Sequence, residues 1–175
     1  MAYLALTCRC LLGVVFLAAL TTKVRGATSF GRFADSLVPL AGVRYRWRRP
    51  VAVGVVAAEV AVPVLLAVPA WTLAGFGWAV LILAAFTTVI VRSLRRGTRA
   101  SCHCFGPSAR PLGPGHVTRN VALGLAGLVG AVATPSAAPT SPTPAAVLAA
   151  AALGLALAVP VLWLDDVVDL FSVSR

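Results

Sequence analysis

An all-α, polytopic membrane bundle of four to five transmembrane helices is the fold class this sequence predicts, on three observations. Of 175 residues, 59% are hydrophobic and only 11% are charged, less than half the roughly 25% of an ordinary soluble domain. Five apolar runs approach the ~20 residues needed to cross a hydrocarbon core, where the backbone must satisfy its own hydrogen bonds. The basic residues lie in blocks between those runs, so the net charge of +10 reads as topology rather than as a nucleic-acid surface.

The first run extends from about Leu4 to Thr22 and contains Arg9. Its basic cluster follows the apolar stretch instead of preceding it, so a retained span is expected rather than a cleaved secretory signal. Span two, Val51 to Pro69, is interrupted by Glu59 and Pro63; span three, Trp71 to Val91, is uncharged and opens with Trp71 and Trp78, residues suited to an interfacial belt. Span four, Val117 to Ala133, is Gly-rich, with Arg119 and Asn120 expected to cap its start at the headgroups and "GLAGLVG" offering a small-residue packing face. Span five, Ala145 to Leu164, follows the low-complexity stretch "TPSAAPTSPTP". In the first loop, Phe30, Phe33 and Leu37 suit a short interfacial helix with Arg32 on its wet side.

Arginines dominate the loop from Lys23 to Pro50 and the one after span three, whereas the alternate loops carry no basic residue. The positive-inside rule then puts both arginine loops in the cytoplasm and the N-terminus outside. The expected location is the cell (inner or plasma) membrane, multi-pass, with membrane lipid as the surrounding partner and no nucleic acid.

Chemistry concentrates in "SCHCFG". Cys102 and Cys104, one residue apart and followed by a Gly-Pro turn, can close a strained disulfide of the labile, exchanging kind. His103, with Arg99 and Arg110 nearby, would favour the thiolate. The same atoms allow a metal reading, but tetrahedral zinc wants four ligands and His116 is the only obvious fourth, so no metal is expected. Inert loop thiols are the bland alternative. Cys8 and Cys10 flank Arg9; two apart on a helix they point in different directions and read as packing residues. Only a helix starting near Leu11 would free them as a second thiol pair.

Glu59 is the one acidic residue inside a span. Its burial costs roughly 2.5 kcal/mol or more by insertion scales, so it should face a partner, water or the bundle interior. Arg9 and Lys23, the sole lysine, are the two cations in reach, and Pro63 would free a carbonyl beside Glu59. A packing ion pair and a proton or quinone site are both open at this point. No cofactor is expected; a quinone is compatible, but no residue pattern indicates one. The sequence has no Ser-His-Asp set, HExxH, phosphate loop or dinucleotide fingerprint.

Taken in order, Arg9 with "LLGVVFLAALTTK", the "AAEVAVPVLL" span, "CHCFG" and "TRN" at Thr118 to Asn120 resemble the MauE family of methylamine-utilisation membrane proteins, related to the DoxX-like group. The likeness extends over roughly the first 130 residues, so residues 1–134 are expected to form a MauE/DoxX-like membrane domain with the CxC loop at 99–116. Residues 135–175 then supply a Pro/Ala/Thr-rich loop, the last span and a short acidic tail. The resemblance implies a redox-associated protein that works beside a thioredoxin-like partner in maturing a disulfide-containing client, as in methylamine dehydrogenase maturation. Cys102 and Cys104 would be the thiol pair, modulated by His103, with Lys23, Glu59 and Arg9 as intramembrane polar residues; Cys8 and Cys10 fall outside the pattern. Disulfide maturation belongs outside the cytoplasm, whereas the arginine distribution puts Cys102 and Cys104 inside, and that conflict stays open. The rival readings are a small permease component centred on Glu59 and a non-catalytic assembly factor. Whether the chain is itself a thiol–disulfide oxidoreductase is also left open by the sequence.

Overall fold

A computed structural model describes residues 1–96, 114–134 and 143–172, with side chains described up to Val161 in the last helix. Cys102, His103 and Cys104, with Arg99 and Arg110, lie outside the described residues. Among the described residues six helices follow one another: α1 Ala2–Val24, α2 Ala27–Ala41, α3 Arg48–Ala67, α4 Thr72–Arg95, α5 Pro114–Ala133 and α6 Pro144–Ser172. Short 3₁₀ turns, Tyr45–Trp47 and Pro69–Trp71, lead into α3 and α4. Among the described residues there is no strand. All but α2 are long and apolar enough to cross a bilayer, giving five candidate spans, and the protein is an all-α multi-pass membrane bundle.

Apolar surface gains nothing by leaving lipid, so close packing must hold such helices together. The core is built accordingly. Leu12 from α1, Val62 and Leu66 from α3, Phe76 and Ala79 from α4, Leu123 from α5 and Ala158 from α6 are all buried in one cluster. The last helix therefore packs into the bundle formed by the first four spans rather than standing apart from it.

Small residues set the spacing. A Cβ at Gly130 would run into the Phe76 ring and lie 3.0 Å from the Cys8 Cβ; one at Gly154 would lie 2.8 Å from the Cys10 Cβ and 2.9 Å from the Thr7 carbonyl oxygen. The expected small-residue face of span four thus exists, and α6 has its own contact glycine. Within the spans, hydroxyls turn back on their own helices: Thr7 donates to the Tyr3 carbonyl at 2.9 Å and Thr87 to that of Leu83 at 2.7 Å. This satisfies a polar group where no water is present.

The loop after α1 folds as an amphipathic helix, as its sequence pattern predicts. In α2, Phe33, Ala34 and Leu40 are buried while Arg32 and Asp35 are exposed. Gly42 ends the helix at φ +67°, with its N–H donating to the Val38 carbonyl at 3.1 Å, the left-handed stop that glycine adopts without a Cβ clash. Asp35 then meets Arg48 at 2.7 Å, tying α2 to the start of α3 at the surface.

One expectation is sharpened and one is corrected. Trp78 lies two turns inside α4, and its indole N–H donates to the Ala58 carbonyl at 2.9 Å. It bridges α3 and α4 while remaining 37% exposed, beside Trp71 at 55%. Arg119 and Asn120 do not cap span four: α5 begins at Pro114, so both fall beyond its first turn and are buried at 3% and 4% exposure.

The packing leads to a paired test. Gly154→Leu forces a side chain against α1 backbone and should lower stability in detergent by ~1–3 kcal/mol, the usual cost of overpacking. Gly124→Leu, where nothing lies within 4 Å, should leave the thermal unfolding curve unchanged; equal losses at both sites would contradict this packing.

Candidate functional site

Lys23 resides in the last turn of α1 and Glu59 lies eleven residues into α3. The lysine Nζ donates to both carboxylate oxygens, at 2.6 and 2.8 Å. Both side chains are shut away, at 0% and 1% exposure. Between the two candidate cations, the structure selects Lys23 as the partner of Glu59. Arg9 instead reaches the end of α3, where Nη2 donates to the Ala67 carbonyl at 2.6 Å. That carbonyl belongs to the last helical residue and has no intrahelical donor.

The two tethers clamp α1 to α3. Fourteen residues separate Arg9 from Lys23 and eight separate Glu59 from Ala67, about 21 and 12 Å by helical rise. Two long, flexible side chains absorb the mismatch, which two short residues could not. Pro63, four residues after Glu59, has no N–H to offer the Glu59 carbonyl, so that carbonyl lacks its usual donor within α3.

The ammonium also faces two aromatic rings, Phe33 from α2 at 5.2 Å and Phe86 from α4 at 5.8 Å from the ring centroids. Cation–π attraction there adds to the ion pair. The guanidinium of Arg119, from α5, lies near enough to repel Lys23. Lys23 is thus the point where four other helices, α2 to α5, meet α1.

Beyond the two phenylalanines is a cavity of about 210 Å³ between α2, α3, α4 and α5. Its lining is apolar but for Ser36 from α2 and, from α5, His116, Arg119 and Asn120. Three and four residues apart, they share one helix face. Sequence reasoning names all three without joining them, because it starts the helix three residues late. The signal was there: "GPGH" places a proline at the first helical position, as helix starts favour.

Cys8 and Cys10 are free thiols in an uninterrupted helix. Cys8 is buried against α5 at Gly130 and Cys10 is partly buried against α6 at Gly154. The helix starts at Ala2, not near Leu11, so the condition that would have made them a second thiol pair is not met. Among the described residues no group of three or more His, Cys, Asp or Glu side chains converges as a metal site.

The ion pair predicts an uneven pattern of losses. Breaking a buried pair leaves an uncompensated charge and costs ~3–5 kcal/mol, while replacing both partners by apolar residues is often neutral. Glu59→Gln should destabilise more than Lys23→Met, because it leaves Lys23 facing Arg119. The Lys23→Met/Glu59→Met double variant should recover most of the loss in detergent unfolding; a double variant as poor as the sum of the singles would contradict the clamp.

No curated protein and no solved structure matches the chain. The family model for methylamine utilisation protein MauE matches residues 1–133. That segment holds α1 to α5, the Lys23–Glu59 pair and the cysteine motif, and on it the chain belongs to the MauE family.

Proposed function

We propose that this MauE-family membrane protein takes part in thiol–disulfide exchange with a thioredoxin-like partner, in the maturation of a disulfide-containing client. One observation carries the reading: of four cysteines, two are packed within α1, and the other two stand one residue apart in the segment joining α4 to α5. A thiolate from Cys102 or Cys104 attacks a partner disulfide, forming a mixed disulfide and releasing one partner thiolate. The second cysteine then attacks the shared bond, leaving a Cys102–Cys104 disulfide and a fully reduced partner. Run backwards, the same exchange oxidises the partner. His103 and the neighbouring Arg99 and Arg110 favour the thiolate.

The geometry at Glu59 supports a clamp rather than a permeation site, because both carboxylate oxygens accept from Lys23 in a pair closed to solvent. The client is a disulfide-rich subunit such as that of methylamine dehydrogenase, and the location is the plasma membrane.

Labelling of intact cells with a membrane-impermeant maleimide, with and without reductant, tests the reading in wild type and in variants that keep a single cysteine. The wild-type pair should cycle between oxidised and reduced forms, and Cys102→Ser or Cys104→Ser should each trap or abolish the mixed disulfide with the partner. Protection of Cys104 until lysis would put the pair on the arginine-loop side in the cytoplasm; labelling from outside would reverse the topology and favour direct client maturation. A pair that never oxidises under either condition would sink the exchange mechanism.

A further inference from the structure

We infer that Arg9 holds the headgroup of an anionic phospholipid, one of whose acyl chains runs along the groove between α1, α3 and α6. An uncompensated charge is the first sign. Arg9 is half-buried in a candidate membrane span, where a cation is costly without a counter-charge. Among the described residues the ion pairs are Lys23–Glu59 and Asp35–Arg48, and Arg9 is in neither. The aspartates of α6 begin at Asp165, eleven residues beyond Gly154, which packs against Thr7, Cys10 and Leu11 and so lies level with Arg9, about 16 Å away along the helix. The bond from Arg9 to the neutral Ala67 carbonyl uses one of five N–H donors and cancels no charge. A guanidinium with donors to spare suits the paired oxygens of a phosphate.

Arg9 also stands at headgroup depth. Ala67 is the last residue of α3, and Trp71, in the turn that follows, is 55% exposed, as suits the membrane interface. Here, at the end of the bundle away from the arginine-rich loops, is a recess of about 330 Å³ lined by Arg9, Tyr3, Thr72 and Thr134. Both threonine hydroxyls donate to carbonyls close by in their own sequence, which leaves the guanidinium to select the occupant. No carboxylate lines the recess, so nothing in it would hold the ammonium of a zwitterionic headgroup.

On the other side of Arg9 an apolar groove of about 300 Å³ leads toward the middle of the bundle. Gly13 and Leu17 from α1, Pro63 and Leu66 from α3, and Ala151 and Leu155 from α6 line it. A Cβ at Gly13 would meet nothing within 4 Å, so the glycine keeps the floor of the groove clear. From Arg9 to Leu17 is about 12 Å by helical rise, most of the ~15 Å of hydrocarbon in one leaflet. Leu17 and Leu155 are 48% and 51% exposed, so a chain enters sideways from the bilayer. A recess and a groove that meet at one cation fit an anionic head joined to an apolar chain. Free phosphate would leave the groove empty, and a fatty-acid carboxylate would leave most of the recess unfilled.

This site owes nothing to the thiol pair. The full chain is reconstituted in nanodiscs with a phosphatidylglycerol or a phosphatidylcholine probe, each carrying the same photoactivatable diazirine on one acyl chain, and labelled peptides are mapped by mass spectrometry. Saturable labelling by the phosphatidylglycerol probe is expected on the groove segments of α1, α3 and α6, with the other lipid-facing helices as reference. It should exceed labelling by the phosphatidylcholine probe at least about fivefold, the preference one arginine near the headgroups supplies, and oleate should not compete. Gly13→Leu, which extends a side chain into the groove, should reduce labelling there to the reference level while thermal unfolding is unchanged. Arg9→Gln should erase the preference for phosphatidylglycerol, and Arg9→Lys, which keeps the charge, should retain part of it. Labelling no greater in the groove than elsewhere, equal labelling by the two probes, full competition by oleate, or undiminished groove labelling in a folded Gly13→Leu variant would overturn the proposal.

Discussion

An ammonium and a carboxylate held out of water inside a lipid-embedded bundle constrain everything around them. Each charge is strongly disfavoured in hydrocarbon unless the other stays within hydrogen-bond reach. With both Glu59 oxygens accepting from the Lys23 ammonium, the end of α1 cannot slide along α3 without separating the charges. The Arg9 bond to Ala67 fixes the opposite end. Two polar contacts about 21 Å apart along α1 by helical rise set both translation and tilt, which apolar contacts between greasy helices do only loosely.

Once α1 and α3 are fixed, the remaining helices have few ways to fit. The ammonium offers its cationic face to Phe33 and Phe86, which draws α2 and α4 inward at the same level. Gly130 admits the Phe76 ring and Gly154 admits the α1 backbone, so α5 and α6 approach closely enough for dispersion to hold them. Directional polar contacts choose the arrangement, and small residues permit its density. Surface pairs such as Asp35–Arg48 add little, since exposed ion pairs contribute ~0–1 kcal/mol.

The sequence made the spans legible because lipid requires long uninterrupted apolar runs, and it singled out Glu59 because a lone carboxylate in such a run must have a partner. It did not choose between Lys23 and Arg9. Both are long cations on α1, and the answer depends on how deeply α1 sits against α3, which no local pattern encodes. The amphipathic α2 was legible from Phe30, Phe33 and Leu37 against Arg32. That Trp78 also donates to the Ala58 carbonyl was not legible, because only tertiary structure brings Ala58 within its reach. Arg119 and Asn120 were assigned to the headgroups for a simpler reason: polar residues near the end of an apolar run read as boundary markers, and hydropathy alone cannot tell a boundary from a polar side chain buried in the bundle. The cysteine motif is carried by the sequence alone.

The polar features are also coupled by position. Phe33 and Phe86 face the Lys23 ammonium on one side and line the cavity on the other, so the ion pair holds two of the cavity's walls in place. Arg119 belongs to both as well, near Lys23 and in the lining of the cavity. The cysteine-bearing segment departs from α4 six residues after Ile90, a wall residue, and joins α5 two residues before His116, another. A change at Glu59 therefore acts on the cavity through the aromatic rings, and on the helices that anchor the thiol segment through α4 and α5. In that sense a residue with no chemistry of its own can still govern the geometry in which chemistry takes place.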